Sequence, residues 1–198
     1  MSAPDAPVLW GAETAKAVEN FRISGEPMPT PVIRWLGLIK AEAAEVNAGL
    51  GLVDPPVAEA IAAAARDIAD GAHAEQFPVD VFQTGSGTST NMNVNEVISA
   101  LTGGRAHPND DVNAGQSSND VVPSAVHLAL LELLGRELLP ALESLEQSFR
   151  SKSDEFGDVV KAGRTHLMDA VPVTLGQELA AHGDQLRAAR ESIVRALP

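Results

Sequence analysis

The sequence contains no cysteine and no tyrosine, and it has few aromatic and few basic side chains. Without cysteine, the chain cannot form disulfides, thiolate zinc sites, iron–sulfur clusters or a cysteine nucleophile. This composition suits a reducing compartment, and we expect a cytoplasmic location. Only 14 Lys and Arg oppose 27 Asp and Glu, which gives a formal net charge of -13. We therefore expect no nucleic-acid partner and no binding to anionic membrane surfaces, because both need a basic face.

Long apolar runs and a leader pattern are also missing. No stretch approaches the roughly 20 apolar residues that a membrane-spanning helix needs. The first 14 residues show neither the basic nor the apolar segment of a signal peptide. However, 44% of the 198 residues are hydrophobic, which is enough for a sizeable core. Because alanine and aliphatic residues dominate over aromatics, we expect helices that pack closely side by side.

Helical periodicity covers most of the chain. The first strong pattern lies within residues 31–52, with an apolar face formed by Ile33, Leu36, Ile39, Ala43 and Val46. Further helices are predicted at 57–70 behind an Asp54 N-cap, at 91–101, from Ser117 or Ser118 to about Phe156, and from Thr174 onward. Pro140 lies inside the longest of them and should kink it. We expect an irregular arm with short helical pieces at 1–30, and loops at 83–90, 105–116 and 161–174, the last with a possible extended piece.

Three segments rich in Ser, Thr, Asn and His each lead into a predicted helix: 83–96, 107–120 and 163–178. Hydroxyls, amides and free N–H groups at a helix start bind anions, and Ser117-Ser118-Asn119 fits this pattern best. One such segment is more often a simple cap, but three in one chain favour a binding site. The Gly-rich loop at 84–88 lacks the P-loop pattern and its Lys. We therefore expect it to surround a small carboxylate rather than a nucleotide.

Two histidines in these segments are candidates for chemistry. His166 follows Arg164-Thr165, and a histidine can exchange a proton near neutral pH, although a loop histidine is often only a surface side chain. His107 precedes Pro108 and Asn109, which also form ordinary turns. No histidine pair has metal-ligand spacing, so we expect no metal and no other cofactor.

The segments LWGAET, ENFRISGEPMPT, TGSGTSTNMN, HPND, SSND, GRTH and LGQE occur in one order along essentially the whole chain. In this wording and order the sequence resembles the fumarase/aspartase superfamily, most closely the class II fumarate hydratases. The resemblance implies a mainly α fold with an N-terminal domain at 1–115, followed at 116–198 by the start of a central helical domain. It also implies a homotetramer whose active sites combine segments of three subunits, and reversible hydration of fumarate to L-malate.

The resemblance also implies roles for individual residues. Substrate-binding positions are Ser86, Gly87, Thr88, Ser117, Ser118, Asn119 and Thr165. His166 stands at the position of the proton-transfer histidine. A secondary dicarboxylate site is implied at His107, Pro108, Asn109 and Asp110.

One family segment has no counterpart in this sequence. The GSSxMPxKxN loop, which carries the family's catalytic Ser, does not occur in the 198 residues. We therefore expect the chain alone to be inactive; in one interpretation, a separate polypeptide supplies a C-terminal portion. One alternative is a non-catalytic dicarboxylate-binding or assembly module. An aspartate ammonia-lyase is a weaker alternative, because His107, Ser118 and His166 are the fumarase-like residues at the positions that separate the two activities.

Overall fold

The computed structural model describes residues 7–198, which form two compact units, one up to Ala129 and one at Leu130–Pro198. Helices dominate both units, so the expectation of a mainly α fold is confirmed. The domain boundary between residues 115 and 116 that the resemblance implies stays a prediction. Within residues 7–198, no helix is long and apolar enough to cross a membrane.

Four helices and the start of a fifth build the first unit. They are α1 (Ala12–Asn20), α2 (Thr30–Gly49), α3 (Pro55–Ala69), α4 (Thr88–Leu101) and α5 (Ser118–Leu133), with a 3₁₀ turn at Ala74–Gln76. Helices α2 and α3 both carry proline in the first turn, where its missing N–H costs nothing. Asp54 precedes α3 as predicted, but its side chain makes no capping hydrogen bond.

The core of this unit forms where α2 packs on α3, and α4 packs on α1, α2 and α3. Small residues permit the close approach that the composition predicts: a Cβ added to Gly37 would lie 2.7 Å from the backbone oxygen of Ala65. The predicted apolar face of α2 is partly wrong, because Val46 is 60% exposed while Lys40 and Asn47 are buried. These two polar side chains bond to amide groups of residues 113–116, which a hydropathy pattern cannot detect.

The second unit continues from α5 through a π-helical segment (Leu134–Leu138) into α6 (Leu139–Glu155). The N–H of Leu139 donates to the carbonyl of Leu134, five residues back. Pro140 has no N–H to continue the regular ladder, so the irregularity that it predicts takes the form of this π-helical segment. Helix α7 (Leu175–Ala196) packs against α6.

At 161–174, where a loop with an extended piece is predicted, the extended structure is longer than expected and forms a β-hairpin. Strands β1 (Val160–Thr165) and β2 (Met168–Thr174) pair antiparallel, with an irregularity between Ala162 and Arg164. The sequence does not predict the full hairpin because β2 is exposed along most of its length, so its residues do not alternate between apolar and polar. One smaller correction is that α4 begins at Thr88, inside the predicted loop at 83–90. Helix α1 is one of the short helical pieces predicted for the arm at 1–30. The first six residues of that arm lie outside the described part of the chain.

Candidate functional site

The loop at 83–88 leads directly into α4 and is closed by its own side chains. Gln83 Oε1 accepts the N–H of Thr90 at 2.9 Å, and Gln83 Nε2 donates to Thr90 Oγ1 at 2.7 Å. Gly87 precedes α4 with φ +67°, and a Cβ there would lie 2.7 Å from Cγ1 of Val122 in α5. Only glycine fits this position, because both the left-handed backbone and the contact with α5 exclude a side chain.

Hydroxyl groups are the main polar groups that this loop exposes. Ser86 Oγ and Thr88 Oγ1 lie 2.8 Å apart, and Thr88 is exposed while Ser86 is half-buried. The N–H of Ser89 donates to Thr84 Oγ1 at 3.4 Å, and the N–H of Thr90 donates to Gln83 Oε1. Because these first amides of α4 are satisfied inside the loop, a carboxylate bound here would meet chiefly hydroxyl donors.

Asp80 anchors the start of the loop, a role that the sequence reasoning missed. Its carboxylate accepts the N–H groups of Ser24 and Gly25, both at 2.8 Å, and of Phe82 at 2.8 Å. Burial alone would raise the pKa of Asp80, but the hydrogen bonds from Phe82, Gly25 and Ser24 outweigh it and lower the pKa to about 2. Asp80 thus ties the loop to the arm that precedes α2. No local pattern marks this aspartate, because its partners Ser24 and Gly25 lie more than 50 residues away along the chain.

The second predicted segment forms the start of α5. Ser117 Oγ accepts the N–H of Asn119 at 3.2 Å, so Ser117 is a cap as the simpler interpretation expects. Ser118 is half-buried, and its Oγ accepts a hydrogen bond from Asn91 Nδ2 at 3.0 Å. Ser117 and Asn119 are exposed. In this segment Ser117 caps the helix, the Ser118 hydroxyl is fixed by a hydrogen bond, and the exposed Asn119 amide is available to a ligand.

A cleft of ≈790 Å³ lies between the 83–87 loop and α5. It brings together three predicted residues, Ser86, Gly87 and Asn119, whereas Thr88, Ser117 and Ser118 are not among its lining residues. The other lining residues are Met28, Val81, Phe82, Gln83, Thr84, Gly85, Val122, Pro123, Val126 and His127. The cleft thus has polar groups on the loop side and mostly apolar groups on the helix side.

Behind Ser118 lies a buried group of amides around Lys40, which is 0% exposed. Its Nζ donates to Gln116 Oε1 at 3.1 Å and to Asn113 Oδ1 at 3.4 Å. Asn113 Oδ1 also accepts from Asn91 Nδ2 at 3.1 Å and from Asn95 Nδ2 at 3.3 Å. Desolvation by burial lowers the pKa of Lys40 from 10.5 to about 7. The sequence signal was the NMNVN run in α4, whose asparagines were assigned no role.

The predicted secondary site, His107 to Asp110, forms a compact turn in the first unit. His107 Nδ1 accepts the N–H of Asp110 at 3.1 Å, and the N–H of His107 donates to Asp111 Oδ2 at 2.7 Å. Asn109 Nδ2 donates to Asp110 Oδ1 at 3.2 Å. The side chains of His107, Asn109 and Asp110 are exposed, and Pro108 is half-buried. The turn accordingly presents one imidazole, one amide and one carboxylate to solvent.

Thr165 and His166 belong to the second unit, where they lie at the tip of the β-hairpin. His166 and Leu167 both have positive φ, +50° and +62°, in the two-residue turn between paired Thr165 and Met168. Such turns favour Asn and Gly, so this backbone is strained. All four side chains are exposed, Leu167 by 98%. The C-terminal end of the hairpin is fixed by Thr174, which forms a capping box with Gln177 at the start of α7.

The described part of the chain offers no candidate metal site. Within residues 7–198, no group of three or more His, Asp or Glu could hold a metal ion.

Comparison with known proteins identifies the family. The lyase family model matches residues 3–198. Class II fumarate hydratase from Mycobacterium tuberculosis is 54% identical over 196 residues, 98% of this chain and 41% of that protein. Among solved structures, fumarate lyase:delta crystallin from Brucella melitensis aligns with a TM-score of 0.86 at 44% identity, over 95% of this chain and 46% of that one. Class II fumarase from Schistosoma mansoni aligns with a TM-score of 0.83 at 41% identity, over 96% and 42%.

The chain spans about two fifths of the length of the curated relatives that it matches. Both the family match and the similarity to solved fumarases extend over nearly all of its residues. The chain therefore belongs to the fumarase/aspartase superfamily of lyases, and it corresponds to the N-terminal portion of a class II fumarate hydratase.

Proposed function

We propose that this chain contributes the N-terminal portion of an enzyme for the reversible hydration of fumarate to L-malate. The observation that carries the proposal is the 54% identity to a class II fumarate hydratase over 98% of the chain. The family match over residues 3–198 includes the loop at 83–90 and the start of α5, where hydroxyls and amides converge. We further propose a cytoplasmic homotetramer, completed by a C-terminal portion.

In the malate direction, a base removes a proton from the carbon next to one carboxylate. The electron pair moves into that carboxylate as an aci-carboxylate, and hydroxide then leaves the adjacent carbon, taking up a proton to form water. The enzyme must stabilise the extra negative charge, which fixed hydrogen-bond donors do in a preorganised site. Ser86, Gly87, Thr88 and the residues at the start of α5 supply such donors.

The second unit supplies the proposed proton-transfer group. His166 relays a proton to or from the reacting groups, and the neighbouring Thr165 binds a substrate carboxylate. Their exposure at a hairpin tip suits residues that complete a site together with other segments. The turn at His107 to Asp110 forms a secondary dicarboxylate site, in which the exposed Asn109 amide is the donor.

The direct test is fumarate consumption, followed by ultraviolet absorbance, with this chain before and after a complementing polypeptide is added. That polypeptide covers the part of the Mycobacterium tuberculosis relative that the match leaves out. We expect no turnover by the chain alone, because it lacks a GSSxMPxKxN segment, and turnover after complementation. The His166→Asn variant should lose turnover. The matched His182→Asn variant should retain it, because His182 instead packs on Phe149 in the second unit.

The missing GSSxMPxKxN loop favours one second candidate, a non-catalytic dicarboxylate-binding module. This module predicts that malate or fumarate raises the melting temperature of the chain, without turnover even when both pieces are folded and associated. Ammonia release from aspartate, without hydration of fumarate, would replace both candidates with an aspartate ammonia-lyase.

A further inference from the structure

The buried asparagine Asn91 contacts a residue of the candidate site from behind. It lies in α4, is 2% exposed, and donates from Nδ2 to Ser118 Oγ at 3.0 Å. Because an amide nitrogen only donates, Ser118 Oγ is the acceptor in this bond. The hydroxyl hydrogen of Ser118 must therefore point away from Asn91, toward another acceptor.

The orientation of the Asn91 amide follows from its neighbours. Asn113 Nδ2 lies 3.1 Å from the backbone carbonyl oxygen of Gln116, which can only accept a hydrogen bond. The other side-chain atom, Asn113 Oδ1, is therefore the one that lies 3.4 Å from Lys40 Nζ. Because Asn113 Oδ1 is an acceptor, the Asn91 atom that lies 3.1 Å from it must be Nδ2.

This orientation leaves two buried oxygens unsatisfied. Asn91 Oδ1 and Asn95 Oδ1 have no hydrogen-bond partner among the described residues. A buried acceptor without a donor destabilises a fold, so stability alone does not explain the arrangement. What the arrangement does achieve is a fixed direction for the Ser118 hydroxyl.

We propose that Asn91 is a positioning residue that keeps the Ser118 hydroxyl as a donor to the substrate carboxylate, with the Gln116 carbonyl setting the orientation of Asn113 and, through it, that of Asn91. This inference rests on the proposed function, in which Ser118 binds substrate. A serine hydroxyl can turn either way, and a carboxylate accepts but does not donate. Holding the hydroxyl in its donor orientation before substrate arrives avoids the free-energy cost of turning it during binding.

The test is a double-mutant cycle in the complemented enzyme, with KM and kcat for L-malate as readouts. We expect Ser118→Ala to raise KM roughly tenfold, the size of one hydrogen bond to a charged group. We expect Asn91→Ala to raise KM by a smaller factor, about threefold to fivefold, because the freed hydroxyl must be ordered during binding. If Asn91 acts through Ser118, adding Asn91→Ala to Ser118→Ala should change KM less than about twofold. Additive effects, in an enzyme whose wild type is active, would overturn the inference and leave the proposed function intact.

Two further variants separate positioning from a general structural role. Asn91→Asp keeps the shape but replaces the donor with an acceptor, so it should raise KM more than Asn91→Ala does. It also serves as the test if Asn91→Ala fails to fold. Asn93→Ala is the matched control, because Asn93 is equally buried in α4 but donates to the Gln76 carbonyl at 3.0 Å. It should lower the melting temperature and leave KM unchanged. A wild-type complex without turnover would refute the proposed function, and this inference with it.

Discussion

Lys40 allows a sharp test of the buried network, because it is a fully buried amine whose hydrogen bonds within residues 7–198 go to the neutral amides of Asn113 and Gln116. Desolvation lowers its pKa from 10.5 to about 7. Each unit of pKa corresponds to about 1.4 kcal/mol, so the charged form is disfavoured in the folded protein by roughly 5 kcal/mol. Replacing Lys40 with the uncharged and similarly long methionine removes this penalty. It also leaves Gln116 Oε1 without its ammonium donor, which costs about 1–3 kcal/mol.

The pH dependence separates these two effects. Above pH 10.5 the lysine is neutral in both states, so its burial carries no charge penalty. As the pH falls toward 7, the unfolded chain binds a proton that the folded protein does not, and folding stability decreases. The penalty is complete below pH 7, where both states are protonated. Between pH 9 and pH 6 the wild type should therefore lose roughly 3 kcal/mol of stability relative to Lys40→Met. Any strengthening of the Lys40 hydrogen bonds on protonation is already contained in its folded-state pKa, so it does not add to this difference.

Urea unfolding at pH 6, 7, 8 and 9, followed by tryptophan fluorescence, measures this difference. Both tryptophans of the chain, Trp10 and Trp35, lie in the first unit and pack against its core, so the signal reports on the unit that contains Lys40. The matched control is Lys16→Met, because Lys16 is exposed and its hydrogen bond to Glu13 raises its pKa, so it stays charged throughout this range. A stability difference between wild type and Lys40→Met that does not change with pH would refute the assignment of a desolvated amine.

Three further substitutions test other contacts. Glu96→Gln should destabilise the first unit by roughly 2–4 kcal/mol in urea unfolding, because the carboxylate accepts four hydrogen bonds at the start of α1, including Thr14 Oγ1 at 2.6 Å. Gly37→Ala should lower stability by about 1–3 kcal/mol in the same assay, since its Cβ would collide with the backbone of Ala65. Thr174→Ala removes the capping box of α7 and should cost about 1 kcal/mol, seen as faster hydrogen exchange in the first turn of that helix and unchanged exchange in α2.

The helices could be predicted from the sequence because each has a local cause. Apolar residues three or four apart locate α2, α3 and α5, and prolines and glycines locate their ends. Pro140 likewise predicts an irregularity in the long helix. Its π-helical form depends on the hydrogen bond that the N–H of Leu139 donates to the carbonyl of Leu134. These features depend on residues that are close together in the sequence, so the sequence alone is sufficient to predict where they occur.

The buried polar groups could not be predicted in the same way. Hydropathy patterns place Lys40, Asn47 and Asn95 outside the core, yet all three are buried. What makes their burial possible is a set of partners at residues 113–116, some 20 to 75 positions away in the chain. The full hairpin at 160–174 escaped prediction for the opposite reason, because exposed strands need no apolar alternation. Sequence reasoning thus singled out the loops of the candidate site, but not the buried polar groups that hold them.

The position of the charges explains why the candidate site needs both exposed hydroxyls and buried amides. The groups that the first unit presents at the candidate site are hydroxyls and amides, and the only ammonium in the network behind them is buried at Lys40. The net charge of -13 opposes the approach of a dicarboxylate, so neutral donors must act through fixed orientation rather than attraction at a distance. A hydroxyl gives orientation only if something holds it, and Asn91 holds Ser118 from a position where solvent cannot compete. In the proposed site, the exposed serines and threonines are the groups that meet the substrate, and the buried amides set which way those groups point.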